Sequence, residues 1–349
     1  LAAEAAGSVS QVAYVSCAGS GDIWVIAFGP EGRPPEVRQR VAVGGMLMPM
    51  AMHPALRVLY VARRSDPLAV AAFAIDPLSG HLSARGEAPL PHSMAYLATD
   101  RSGRFLFSAS YGGNLVAVSP IGADGLPGPA QQIVETGPHA HCIQAAPDNR
   151  HVHATSLGGG VLMHWRFDVA TGLLAPADPT ALALPTGASP RHFVFDPAGR
   201  FAYLLGELDA SVTQLRYDAA QGRFHVVGTT SSLPAGFDGE PWAADLHLTP
   251  DGRFLYTCER RSSTLAVFAI DPASGAPQLQ GHVPTQTQPR GFAIDGEGRF
   301  LLAAGQRSNR VTAYAIDRAT GALTPQGTLP VGDDPNWVEF VTLKDRNAP

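Results

Sequence analysis

Residues 191–195, Arg191-His192-Phe193-Val194-Phe195, lead through the turn Asp196-Pro197-Ala198-Gly199-Arg200 into residues 201–206, Phe201-Ala202-Tyr203-Leu204-Leu205-Gly206. Proline presets the turn backbone and glycine supplies the positive φ that a tight reversal needs. The two apolar runs, rich in β-branched and aromatic residues, therefore read as neighbouring antiparallel strands. Two more such runs, at 212–217 and 224–228, complete a four-strand unit, lettered A to D in chain order. Related turns stand at Pro250-Asp251-Gly252-Arg253 and Asp295-Gly296-Glu297-Gly298-Arg299. Seven stretches repeat this pattern at intervals of roughly 40 to 55 residues with strand-type periodicity, which is the signature of propeller blades.

A strands are expected at 50–52, 94–98, 141–145, 191–195, 243–248, 290–294 and 337–341, the first six each followed by B, C and D. The runs at 12–17, 23–28 and 37–43 lack an A strand, and the final A strand lacks the rest. Together they predict a seventh blade that closes the ring and leaves no open edge. The expected fold is all-β, a seven-bladed propeller of four-stranded antiparallel blades, occupying 11–345 as one domain. Residues 346–349 read as a tail. The Ala-rich stretch 1–10 has no basic segment and reads as disordered, or as an added extension or the remnant of a removed leader.

Gly 37 and Pro 30 in 349 residues suit a chain of short strands and many turns. A net charge of -5 offers no basic field for nucleic acid or an anionic membrane, so neither partner is expected. No apolar run approaches the ~20 residues of a spanning helix. Cys17, Cys142 and Cys258 are odd in number and unpaired by motif, which points to a reducing compartment, the cytoplasm. Oligomeric state is not legible in the sequence.

Strand alternation sorts the loops. The segments leading into A and the B–C loops share one face of the disc, the front; the Asp-Pro-x-Gly-Arg turns and the C–D turns share the other. The front collects His92, His139, His141, Arg191, His192, Trp242, Asp245, His247 and Arg290 before or in the A strands. Its B–C loops bring Arg63, Arg64, Tyr111, Glu207, Arg260 and Arg307. Since A strands line the axis, this set predicts a funnel for a small anion. Arg191 and Arg290 follow proline at the same place in two copies, where the other copies lack arginine. Glu207 ends an apolar strand, where a carboxylate needs a partner or water. His141 suits acid/base work or a bond to the next blade, and Asp245 suits either the site or a backbone tie.

His139 with His141 and His151 with His153 have a spacing that places both side chains on one strand face. The second pair follows the back-face turn Asp148-Asn149-Arg150, so the two pairs should not meet and no metal is expected.

The runs His141-Cys142-Ile143-Gln144-Ala145-Ala146-Pro147, Arg191-His192-Phe193-Val194-Phe195, Ala244-Asp245-Leu246-His247-Leu248 and Pro289-Arg290-Gly291-Phe292 resemble the seven-bladed propeller lactonases typified by bacterial 6-phosphogluconolactonase. The likeness covers about residues 11–345. It extends to fungal carboxymuconate-lactonizing enzymes, whose His, two Arg and Glu correspond to His141, Arg191, Arg290 and Glu207. The resemblance implies hydrolysis of a sugar-acid lactone by these four, without a cofactor; placement on the front face adds Arg63, Asp245 and Arg260 as expected binders of the anionic substrate. Gly206 before Glu207 and Glu259 before Arg260 depart from the family pattern, which leaves open non-phosphorylated glucaro- or galactaro-lactones and muconate cycloisomerisation. A protein-binding platform would instead need an apolar front face.

Overall fold

The computed structural model describes residues 11–29 and 33–343; the expected leader remnant 1–10 and tail 346–349 lie outside the described residues. Twenty-eight strands form seven four-stranded sheets, all antiparallel, and the described residues contain no helix. The innermost strands are Leu47–Met52, Tyr96–Thr99, Ala140–Ala145, Pro190–Phe195, Ala243–Leu248, Pro289–Ile294 and Pro335–Thr342. Each touches the next around the axis, and the last touches the first. The expected propeller is thus present. Most A strands start one to three residues earlier than the apolar runs suggested, because proline and polar residues also pair at the front end of the strand.

Closure is by pairing of the two ends of the described chain. Pro335–Thr342 lies antiparallel to Gln11–Cys17, with Thr342 opposite Gln11 and Trp337 opposite Ser16. A side-chain bond from Thr342 Oγ1 to Gln11 Oε1 (2.9 Å) fastens the outer end. Apolar side chains fill the spaces between blades: Tyr256, Leu265 and Val267 of one sheet pack with Phe292, Leu301 and Tyr314 of the next.

The repeated turn has a physical logic. Asp196 Oδ1 accepts the backbone N–H groups of Arg200 (2.6 Å) and Phe201 (2.8 Å), and Asp295 does the same for Arg299 and Phe300. Gly199 takes φ 67° there. The arginine then lies over the following phenylalanine, Arg200 over Phe201 and Arg253 over Phe254, both at 5.3 Å. Arg253 also donates to the backbone oxygens of Arg318 and Ala319, in the C–D turn of the next blade. Buried tyrosines add a second link, Tyr203 to Gly275 O and Tyr256 to Gly321 O (2.7 Å each). The Asp turns and C–D turns therefore share one face, as alternation required.

The opposite face is prepared differently. Six of the seven blades carry a register shift near the start of the A strand. Pro190 pairs with Gly206 and His192 with Leu205, leaving Arg191 as the extra residue of a β-bulge. Arg290 is the extra residue between Pro289 and Gly291, and His141 falls in the shift between Ala140 and Ile143. A bulge re-aims one side chain out of the pleat; here it turns it toward the axis. His139 and Gln288, two residues upstream, hold φ of 61° and 58°, a region uncommon for residues with a Cβ.

Candidate active site

Glu207 begins the B–C loop after Phe201–Gly206. Its N–H donates to Ser189 O (2.8 Å), and its own oxygen accepts from Ala243 N of the next blade (2.8 Å). The loop is thus fixed by two A strands at once. One carboxylate oxygen, Oε2, accepts from Arg191 Nε at 2.8 Å and lies 3.1 Å from an Arg260 guanidinium nitrogen. The other, Oε1, accepts from the Trp242 indole at 3.3 Å. Burial alone would raise this carboxyl; Arg191 and Arg260 more than offset it, and Glu207 stays below its ordinary value, ionised at neutral pH.

Arg191 is 1% exposed and Arg260 5%. Arg191 also donates to Ala244 O. Arg260 bonds Trp242 O and Ala243 O (both 2.9 Å), and its guanidinium carbon lies 3.7 Å from the centre of the Trp242 ring. Burial and then Arg191 push the Arg260 pKa down to about 9. Both cations are anchored on backbone, so their positions do not depend on a ligand.

His141 completes the cluster from the third blade. Its Nε2 lies 4.0 Å from Glu207 Oε2, and its buried Nδ1 has no partner. The Tyr111 ring meets it edge-on at 5.7 Å while stacking on His139 at 4.1 Å. Burial, followed by the charges of Arg191, His192 and Arg290, drives its pKa well below the usual histidine value. It is therefore neutral at pH 7 and able to accept a proton. Arg290 is half-buried and, among the described residues, makes no hydrogen bond or ion pair; burial and then Arg191 and Arg64 push it down to about 10. A cleft of about 300 Å³ beside it is lined by Trp242, Gln288, Gln306, Arg307 and Asp334.

Of the residues singled out in the sequence, His141, Arg191, Glu207, Arg260 and Arg290 come together. Arg63 does not: its guanidinium turns outward to Glu87 (3.2 Å) and Pro67 O (2.8 Å). Arg64, the next residue, is the one that points inward. Being last in a strand, Arg63 alternates to the opposite side, and no feature of the sequence distinguishes the two adjacent arginines. Asp245 lies deeper in the axial channel, accepting from His192 Nδ1 (2.8 Å) and bonding His247 Nε2 (3.1 Å). His192 passes this tie on: with Nδ1 donating to Asp245, its Nε2 accepts from Arg191 at 3.1 Å. Asp245 thus steadies Arg191 through His192 rather than facing the funnel. Trp242 was visible in the sequence as a front-face aromatic, but its grip on Glu207 and Arg260 needed coordinates.

The second histidine pair lies elsewhere. His153 bonds His164 (2.9 Å) within an aromatic surround of Tyr217 and Phe224. Among the described residues no group of three or more His, Cys, Asp or Glu could hold a metal ion. Likewise no helix is long and apolar enough to cross a membrane.

Comparison with known proteins shows the family of the chain. The chain is 43% identical over 287 residues to a 6-phosphogluconolactonase of Pectobacterium carotovorum, covering 82% of this chain and 85% of that one. It is 39% identical to the 6-phosphogluconolactonase of Cronobacter sakazakii over the same shares. The structure of the periplasmic gluconolactonase PpgL of Pseudomonas aeruginosa superposes with a TM-score of 0.87 at 30% identity, covering 96% of this chain and all of that one. The model of the family "Lactonase, 7-bladed beta-propeller" matches residues 6–340, and the chain belongs to the seven-bladed β-propeller lactonases.

Proposed function

We propose that the front funnel hydrolyses the ring ester of a small anionic sugar-acid lactone, of the 6-phosphogluconolactone type, to the free aldonate. The observation that carries this reading is a neutral His141 whose Nε2 lies 4.0 Å from a carboxylate locked by two arginines, with the unpaired Arg290 guanidinium in the same cluster. His141 takes a proton from water as the water oxygen attacks the lactone carbonyl. Arg191 stabilises the oxyanion of the tetrahedral intermediate, and Arg290 holds the anionic group of the substrate. As the ring C–O bond breaks, the imidazolium returns its proton to the departing ring oxygen, giving the hydroxyl and a carboxylic acid that ionises to the carboxylate and releases its proton to solvent. Glu207 holds Arg191 and Arg260 in place and favours the transient imidazolium.

Family membership supports the reaction class, and the names of the relatives support the phosphorylated substrate. The gluconolactonase named among the solved structures makes the unphosphorylated ester the natural comparison. The test follows acid release on 6-phosphogluconolactone, gluconolactone, glucaro- and galactaro-lactones, corrected for spontaneous opening, with loss of diene absorbance scoring muconate. Turnover of a lactone that disappears in His141→Ala is expected. Turnover of none, or unchanged turnover in that variant, would overturn the reading. Three buried, unpaired cysteines fit a cytoplasmic site of action, which fractionation of the native host checks.

A further inference from the structure

Arg64 begins the B–C loop after Val58–Arg63. Its Nε donates to Ser93 Oγ (2.9 Å) of the neighbouring blade, and another guanidinium nitrogen to the Met48 sulfur (2.8 Å). Neither partner carries charge, and among the described residues Arg64 has no ion pair. Ser93 and Met48 aim the fork without neutralising it.

Arg290 likewise has no ion pair among the described residues, and its charge is felt together with that of Arg64. Arg64 and Arg290 are both half-buried, and cations drawn out of water are ordinarily paired, because desolvating a lone charge is costly. Arg191 and Arg260 obey this rule through Glu207. Arg64 and Arg290 do not. The nearby Asp334 is already engaged by Gln306 Nε2 (2.6 Å) and draws only Arg290 electrostatically. Two guanidiniums of like charge without a counter-ion, Arg64 aimed by its neighbours and Arg290 free to turn, make a site that waits for a ligand group carrying compensating charge. A tetrahedral dianion can accept from both forks at once, whereas a carboxylate brings one charge and two oxygens.

We propose that Arg64, acting with Arg290, is the subsite for a phosphate monoester dianion on the substrate, and that Arg64 decides the preference for phosphorylated over unphosphorylated lactones. This rests on the funnel being the lactone site. Arg64 is aimed by Ser93 and stands outside the cluster around Glu207, so its contribution is to binding at the far end of the substrate and not to the reacting ester.

The test compares wild type, Arg64→Gln, Arg64→Lys and, as a neighbour control, Arg63→Gln. Steady-state kinetics on 6-phosphogluconolactone and gluconolactone give a selectivity ratio of kcat/KM. In Arg64→Gln that ratio is expected to fall at least 10-fold, through KM for the phosphorylated ester, with partial recovery in Arg64→Lys. Calorimetric binding of inorganic phosphate is expected to weaken by a similar factor in Arg64→Gln and to hold in Arg63→Gln. An unchanged ratio, or a loss shared equally by both substrates, overturns the assignment while leaving the lactonase reading intact. If the wild type opens neither lactone, the lactonase reading fails on its own. Phosphate binding that responds to Arg63 and not to Arg64 then removes the subsite as well, and binding lost only in Arg64→Gln upholds it for phosphate itself.

Discussion

Arg191 Nε and Glu207 Oε2 are 2.8 Å apart across sixteen residues of chain, the first from a bulge in an A strand and the second from the loop that ends the adjacent B strand. The same oxygen meets Arg260 and faces His141. A single carboxylate thus coordinates side chains from three blades. It fixes two donors in a place where water would otherwise scatter them, so little rearrangement is left for the reaction.

Fork geometry should matter more than charge. Arg191→Lys and Arg290→Lys each keep a cation but lose planar, two-pronged donation. A fall in kcat/KM on the order of 100-fold, about 2.7 kcal/mol, is expected for each, measured on the lactone that wild type turns over best. Full activity in both lysine variants would remove the arginines from the mechanism.

Glu207→Gln leaves two buried guanidiniums without their counter-ion. Breaking such a pair costs about 3–5 kcal/mol, so the urea midpoint should drop clearly and activity with it. A variant as stable as wild type would mean that the cations relax into solvent, contrary to their backbone anchors.

The pH profile carries a sign. His141 must be neutral to accept a proton, and its value lies well below the ordinary one. The acid limb of kcat/KM should therefore fall below the free-histidine value of about 6.5, with a plateau through neutrality. An inflection at or above 6.5 that vanishes in His141→Gln would reverse the environment described for this ring.

How much of this was legible in the sequence depends on what each residue answers to. Asp196, Gly199 and Arg200 respond to their immediate neighbours, so their turn, and with it the ring, could be read from one repeat. His141, Arg191 and Arg290 stood out because they break the repeat at equivalent places. The choice between Arg63 and Arg64 depended on the end register of one strand. The role of Trp242 depended on a contact from ring to carboxylate between blades, and that of Asp245 on a relay through His192. No local pattern encodes such relations.

A second pH effect concerns stability. His153 and His164 bond each other away from water, and burial lowers both, His164 to about 4. Their folded values lie below the unfolded value of about 6.5, so the unfolded chain binds more protons as pH falls between those limits. Stability should decline from about pH 6.5 toward 4, by up to roughly 3 kcal/mol for His164 alone. Melting temperatures across that range give the slope, which should shrink in His164→Gln. An identical slope in that variant would assign the acid sensitivity elsewhere.

Deleting 335–349 removes the strand that pairs with Gln11–Cys17 along its length. Cooperative thermal unfolding should be lost, with exposure of Ala13, Val15 and Leu302, which Val338 covers, to a hydrophobic dye. A truncated chain that still melts in one sharp transition would show that six blades suffice.

The bulges at the mouths of the A strands have an implication for how such a protein can change its chemistry. Each offers a socket whose backbone is held by strands on either side, so the occupant can differ while the strand pairing around it stays the same. Alanine fills one of them at Ala244, asparagine another at Asn336, and ionisable groups fill those at His141, Arg191 and Arg290. Exchanging tenants in these niches would retune what the cup accepts without touching the masonry beneath it.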